Sequence, residues 1–223
     1  SAVIDNTVYS KVFQCPRCLA KIPLFECAKV ESTTSTGKPK QIRVCPHCVA
    51  KGKKEHIKTT GDQFGSIPVL VTYLCRNGCA PAQGQRARND ADKKKRSFFE
   101  KHDLVKLQEI ASREIPHWYP DADLAENIPY RMLHKQDFRP SDATRLVDLF
   151  TKRNLWALAC HYEECKNLKT PHAGDIVRFG LNAILLAMSR MQGFVEDPRF
   201  PNQLMRGTYY LPQIGREYNV IQW

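Results

Sequence analysis

Long hydrophobic runs are absent from this sequence of 223 residues. No apolar stretch reaches the ~18 residues that a membrane-spanning helix needs, and no secretory leader is visible. We therefore expect a soluble, cytoplasmic protein that does not associate with membranes. A reducing compartment also suits cysteines that bind a metal as thiolates.

Motifs for nucleotide binding and for nucleophilic catalysis are missing as well. No Gly-rich loop follows a predicted strand, as a Rossmann-type site for a dinucleotide or for S-adenosylmethionine requires, and no P-loop occurs. The serines show no nucleophile elbow, and no Cys/His arrangement stands apart from the paired cysteines described below. The sequence therefore predicts no catalytic residue in this chain.

Acidic side chains are outnumbered by basic ones, with 23 Asp and Glu against 34 Lys and Arg, which gives a formal net charge of +11. An excess of this size indicates a polyanionic partner, and we predict DNA. The alternative is that the basic cluster after residue 83 is only the soluble start of a helix. The candidate phosphate contacts are Arg86, Arg88, Lys93, Lys94, Lys95, Arg96, Lys152 and Arg153.

Nine cysteines are present, and four of them form two Cys-Pro-x-Cys pairs separated by 26 residues. Each pair, Cys15 with Cys18 and Cys45 with Cys48, presents two thiolates from one tight turn, as a zinc ribbon requires. A disulfide framework is the alternative. It suits adjacent cysteines less well, and an odd number of cysteines leaves one unpaired. The spacing predicts a four-cysteine zinc site.

A third pair, Cys75 and Cys79, is also predicted to bind metal. It can form half of a second site, with Cys27, His47 or His56 as further ligands, or replace one pair in the first site. It can equally be two reduced thiols in a turn. Two further cysteines, Cys160 and Cys165, lie on a predicted helix and are expected to be small buried or surface thiols.

Hydrophobic patterning predicts an α+β protein with two domains. Residues 1–82 are expected to form a zinc-ribbon-like β module, with strands at 8–13 and 67–74. Residues 83–223 are expected to be mainly helical. One helix is predicted to begin after an N-cap at Thr151. The next, over 176–191, is apolar on most sides, so we expect it to be buried.

Several segments resemble the middle region of bacterial amino-group DNA methyltransferases of the adenine-specific type. They are residues 148–158, Ser189-Arg190-Met191, residues 207–212 and residues 217–220. The Cys-Pro-x-Cys pairs are similar to that family's zinc insertion. In the family, the S-adenosylmethionine motif lies upstream of this region and the Asp-Pro-Pro-Tyr-type catalytic motif downstream.

The resemblance implies a DNA-facing segment of a methylase that flips its target base into a pocket built by the rest of the enzyme. It implies S-adenosylmethionine as a cofactor of the full-length parent only, and the missing catalytic portion as a partner. Because the sequence begins at Ser1 and stops at Trp223 directly after a patterned segment, we expect a piece of a longer protein. The alternatives are a self-contained zinc-ribbon module that binds nucleic acid or protein, and a structural interaction domain.

Overall fold

Strands dominate the first part of the chain and helices the second, so the predicted α+β class is confirmed. The computed structural model describes residues 2–34, 36–60, 63–75, 86–124, 143–195 and 211–222. The strands are β1 (Ala2–Gln14), β2 (Lys21–Pro23), β3 (Ala28–Thr33), β4 (Pro39–Val44), β5 (Gln63–Cys75), β6 (Arg86–Arg88) and β7 (Ile214–Tyr218). The helices are α1 (Pro46–Val49), α2 (Lys93–Phe98), α3 (Leu104–Ser112), α4 (Lys152–Lys166) and α5 (Pro171–Met188).

Four shorter helical segments complete the described structure. A π-helical segment, Phe99–Asp103, joins α2 to α3 without a break. Short 3-10 helices lie at Leu24–Glu26, Leu146–Leu149 and Val220–Gln222. None of the helices in the described ranges combines the length and the apolar character that crossing a membrane requires.

The chain divides into two compact units. We call Val8–Val69 the inserted unit, and Ser1–Thr7 together with Leu70–Trp223 the main unit. Strands β1 and β5 each contribute residues to both units. The sequence predicted a division at residue 82, which lies outside the described residues.

Within the described ranges, five strands form one sheet in the order β2-β1-β5-β6, with β7 also paired to β1. Strand β2 runs antiparallel to the end of β1, with Phe13 opposite Ile22. Strand β6 runs antiparallel to the end of β5, with Tyr73 opposite Ala87. Strands β3 and β4 form a separate antiparallel hairpin.

The core of the inserted unit is small and mostly aliphatic. Phe13, Ile22, Val44 and Ile57 are each no more than 1% exposed. The guanidinium of Arg43 donates hydrogen bonds to the backbone oxygens of Leu24 and Cys27, both at 3.0 Å. A core of this size needs a further source of stability, because small sheets rarely stand without one.

A second core joins β5 to the helices of the main unit. Val71 and Tyr73 on β5 pack against Phe99, with Leu104 beside them. The Tyr73 hydroxyl donates a hydrogen bond to the Asp103 carboxylate. Burial raises the pKa of Asp103, although this hydrogen bond acts to lower it. Val71 and Tyr73 are two residues apart, so they lie on the same face of the strand. Because β5 includes residues 67–74, the strand predicted there is confirmed.

Helix α4 begins as the sequence predicts. The Thr151 hydroxyl accepts a hydrogen bond from the Asn154 backbone N–H at 3.4 Å, which satisfies one of the free donors of the first turn. Leu155 and Leu158 face inward, at 9% and 8% exposure. The N-cap prediction at Thr151 is therefore confirmed.

Helix α5 forms as predicted, but the expectation that it is buried is wrong. Ile176 and Phe179 are 71% and 76% exposed. Its C-terminal end packs inward, where Met188 joins a cluster with Leu158 and Val220. The described neighbours cover that end of the helix and leave much of its N-terminal part to solvent.

Candidate metal centre

Four cysteine thiols converge in the inserted unit. Their sulfur atoms, from Cys15, Cys18, Cys45 and Cys48, all lie within 4.8 Å of one another. The Cys15 and Cys48 sulfurs are 3.8 Å apart, and the Cys18 and Cys45 sulfurs 3.6 Å apart. A tetrahedral ion with Zn–S bonds of about 2.3 Å requires edges of about 3.8 Å. The predicted convergence of these four cysteines is confirmed, and the cluster can hold a zinc ion.

The first pair is positioned by a turn at the end of β1. The Leu19 N–H donates to the Cys15 carbonyl at 3.0 Å, and the Cys15 N–H donates to the Ala20 carbonyl at 2.9 Å. These bonds close the chain on itself, so that both sulfurs emerge on one side. Leu19 adopts a left-handed backbone with φ of 60°.

The second pair lies where β4 meets α1. Cys45 precedes the helix, and its sulfur accepts a hydrogen bond from the Cys48 N–H at 3.4 Å. The Cys45 N–H donates to the Glu55 carbonyl at 2.9 Å, which anchors the following loop. Pro46 occupies the first position of the helix, where a missing N–H is tolerated.

Burial and backbone hydrogen bonding shift the pKa values of these thiols in opposite directions. Burial raises the pKa of Cys48 to about 12 and also raises that of Cys45. Burial acts on Cys15 too, but hydrogen bonds from the Cys18 and Arg17 backbone outweigh it and lower the pKa of Cys15 to about 7. A divalent cation favours the thiolate form of all four, so metal binding and proton release are coupled.

The other predicted ligands lie apart from this cluster, which is the one group of metal-binding side chains found in the described ranges. Cys27 is buried, and its thiol donates to the Pro23 carbonyl at 3.7 Å. Burial raises its pKa to about 11, which keeps it protonated. His47 and His56 are not part of the cluster either.

Cys75 ends β5 and is disulfide-bonded in this structure. A disulfide sulfur offers no thiolate, so ligation by Cys75 would require reduction first. Cys79 lies outside the described residues. Metal binding by this pair stays a prediction. Cys160 and Cys165 lie on α4 as free thiols, as the sequence predicts.

The left-handed turn at Leu19 yields a first testable expectation. This conformation costs a residue with a Cβ atom about 1–2 kcal/mol, and glycine is free of that cost. The Leu19 side chain is 65% exposed, so its removal sacrifices little packing. We expect Leu19→Gly to stabilise the inserted unit by about 0.5–1 kcal/mol, since the greater freedom of the unfolded chain cancels part of the gain. Denaturant unfolding in zinc-containing buffer measures the difference.

Val49 supplies the matched control, because it follows the second cysteine pair as Leu19 follows the first. It lies on α1, with no positive φ to relieve. Val49→Gly should therefore lower stability by a few tenths of a kcal/mol to about 1 kcal/mol. Equal responses at the two positions would contradict the strain at Leu19.

Four of the predicted phosphate contacts already face a carboxylate. The pairs are Arg86 with Asp5 at 2.8 Å, Arg88 with Asp90 at 2.7 Å, Lys95 with Asp92 at 2.5 Å and Arg96 with Glu100 at 2.7 Å. The last three are surface pairs, which contribute little to stability and can exchange their partner for a phosphate. Arg86 instead compensates the carboxylate of Asp5, which is buried.

The remaining four are placed in different ways. The Lys152 ammonium donates to the Ala111 carbonyl at 3.2 Å on the surface. Arg153 is 17% exposed and donates to Glu217, which is fully buried, at 2.6 Å. Lys93 and Lys94 lie in the first turn of α2, exposed to solvent. DNA contact by any of the eight stays a prediction.

Sequence reasoning missed a further set of side chains next to this basic cluster. Phe98, Lys101 and His102 share one face with Lys93 and Lys94. The signal was present, because Lys94, Phe98 and His102 follow one another at intervals of four residues. It was overlooked because Lys93–Arg96 was interpreted only as a run of positive charge, without the residues one and two helical turns further on.

Comparisons with protein-family models, with curated proteins and with solved structures find no match to this chain. The methyltransferase family therefore stays a prediction based on the segments named above. Of these segments, residues 207–210 lie outside the described residues.

Proposed function

We propose that this chain is the DNA-contacting segment of an amino-group DNA methyltransferase, stabilised by zinc at Cys15, Cys18, Cys45 and Cys48. The observation that carries the proposal is a four-thiol cluster of tetrahedral dimensions in a strongly basic chain. S-adenosylmethionine and the catalytic residues would belong to the rest of the enzyme, which is this segment's protein partner.

Support for zinc comes from the chemistry of the ligand set. Four sulfur ligands in a closed arrangement are typical of structural zinc, whereas a catalytic site keeps one position open. Three of the thiols are buried, and Cys18 alone is exposed. A structural role agrees with the small core of the inserted unit.

Support for DNA comes from the charge and its distribution. The excess of basic side chains gives a net charge of +11, and Lys93 and Lys94 are exposed beside further cations. Such a surface binds phosphates through release of counterions, which makes the affinity depend steeply on salt.

Support for the methyltransferase comes from how the resembling segments pack. The Asn154 amide donates to the backbone oxygens of Met188 and Tyr218, at 2.9 and 2.8 Å. The Arg190 N–H donates to the Leu149 carbonyl at 2.8 Å. Hydrogen bonds therefore join the first of the segments that carry the resemblance to two of the others, as parts of a single motif would be joined.

The test combines elemental analysis with a titration of fluorescein-labelled duplex DNA, followed by anisotropy. We expect about one zinc per chain, and a DNA affinity that falls at least tenfold between about 50 and about 200 mM salt. A sample treated with a chelator serves as the metal-free control. The purified chain should transfer no methyl group from S-adenosylmethionine to DNA.

Each part of the proposal can fail separately. A chain without zinc contradicts the metal site. Zinc without salt-sensitive DNA binding contradicts the DNA role and favours an interaction module. Methyl transfer by this chain alone contradicts the assignment of catalysis to the missing portion.

A further inference from the structure

An open depression of about 390 Å³ lies on one face of α2 and the π-helical segment. We call this surface the α2 face. It is formed by side chains that recur at intervals of four residues, which places them side by side along the helix. They are Lys93, Lys94, Ser97, Phe98, Lys101 and His102.

Cations on the α2 face differ from those behind it. Lys95 is paired with Asp92, which caps α2, and Arg96 with Glu100 on the π-helical segment. In the described part of the chain, Lys93, Lys94 and Lys101 form no ion pair with a carboxylate. Three lysines on this face therefore carry uncompensated charge and can bind phosphates without breaking an internal pair.

Phe98 is an exposed aromatic ring that lines the α2 face together with these cations. Its side chain is 53% exposed, whereas the next residue, Phe99, is buried at 1% and fills the core. Two contacts hold the Phe98 ring. Its centroid lies 4.7 Å from that of His102 and 6.4 Å, edge-on, from that of Tyr73. A ring held in place yet open to solvent is a stacking surface.

We infer that the α2 face binds an unpaired stretch of DNA, with the lysines on phosphates and Phe98 stacked on a base. This combination of a cationic surface and an accessible aromatic ring is how proteins bind single strands. A duplex hides its base faces, so it offers Phe98 nothing to stack on. The inference rests on the proposed function, because flipping a target base leaves nucleotides unpaired.

The charge is tested with a labelled single-stranded oligonucleotide of mixed sequence. In the double variant Lys94→Gln with Lys101→Gln, we expect the slope of log affinity against log salt to become shallower by about 1.4, since each lost single-strand phosphate contact removes about 0.7. The matched control is Lys29→Gln with Lys40→Gln, which removes the same charge from exposed positions on the β3–β4 hairpin. The control should retain the original slope.

The ring is tested by comparing Phe98→Ala with Phe98→Tyr on the same oligonucleotide. Base stacking is worth about 1–3 kcal/mol, so Phe98→Ala should weaken binding by about five- to 150-fold. Phe98→Tyr keeps the ring and should bind within about twofold of the unaltered protein. Thermal unfolding of each variant verifies that the fold is retained.

The outcomes separate this inference from the proposed function. If the unaltered protein binds neither duplex nor single strand, both are overturned. If it binds in a salt-sensitive way and the Lys94, Lys101 and Phe98 variants bind equally well, only the inference is overturned. If the lysine variant changes the salt slope and Phe98→Ala leaves the affinity unchanged, the α2 face binds a phosphate backbone without base stacking. That result overturns the inference that it binds an unpaired strand.

Discussion

Replacing Cys45 with serine should abolish zinc binding and unfold the inserted unit. Cys45 supplies one of the four sulfurs, and that sulfur also caps α1 by accepting a hydrogen bond from the Cys48 N–H. Binding of structural zinc contributes about 10–16 kcal/mol in zinc-finger peptides, more than the whole stability of most small domains. A unit with so small a core should not fold without it.

Two measurements follow this change. Elemental analysis should show zinc falling from about one per chain to none. Hydrogen exchange read by mass spectrometry should show loss of protection in peptides from Val8–Val69. Removing zinc from the unaltered protein with a chelator should reproduce both results.

Cys27→Ala is the matched control. Cys27 is buried, as Cys45 is, and lies in the same unit, but it is outside the four-thiol cluster. The variant should keep its zinc and lose about 1 kcal/mol of stability from the missing sulfur. Retention of zinc by Cys45→Ser, or loss of zinc in Cys27→Ala, would refute the assignment of ligands.

Arg153→Met should destabilise the main unit by about 3–5 kcal/mol, because it removes the guanidinium that is paired with a buried carboxylate. The Glu217 side chain is fully buried and accepts from Arg153 at 2.6 Å and from the Thr151 hydroxyl at 2.6 Å. The same guanidinium reaches Thr7 on β1 at 3.1 Å. The pair thus ties α4 to both β7 and β1. Urea unfolding followed by tryptophan fluorescence measures the loss.

Two controls show whether the buried charge is the cause. Lys152→Met removes the neighbouring cation at the surface and should change stability by no more than about 0.5 kcal/mol. Adding Glu217→Gln to Arg153→Met removes the buried carboxylate charge and should restore part of the loss. An effect of Arg153→Met below about 1 kcal/mol would contradict a structural role.

The double variant also separates structure from DNA binding. Sequence reasoning assigned Arg153 to the phosphate contacts, and the structure gives it an internal partner. If the stabilised double variant binds DNA with an unchanged salt slope, Arg153 serves the fold alone. A slope shallower by about 0.9 would show a duplex phosphate contact as well.

Features set by local sequence could be predicted. The two Cys-Pro-x-Cys pairs carry their turn geometry within a few residues, so the cluster followed from spacing. Thr151 caps α4 through a bond to Asn154, three residues on. The β-branched run in β5 contains its own strand signal. In each case the physical cause lies within one short segment.

Features that depend on distant partners could not be predicted. Arg153 and Glu217 lie 64 residues apart, and nothing in the local sequence pairs them. The exposure of Phe179 depends on which elements cover α5, which its apolar pattern does not specify. Leu19 gave no signal either, because leucine disfavours the left-handed backbone that it adopts there.

The division of the chain would give a metal bound at the four thiols an influence beyond the inserted unit. The chain leaves the main unit after Thr7 on β1 and returns to it at Leu70 on the neighbouring strand β5. With zinc bound, the intervening segment is folded. Without zinc, it becomes a flexible loop whose ends the main unit must hold together, at an entropic cost of roughly 4 kcal/mol plus a constant. Zinc supply would therefore control the stability of helices and of a basic surface that contain none of its ligands.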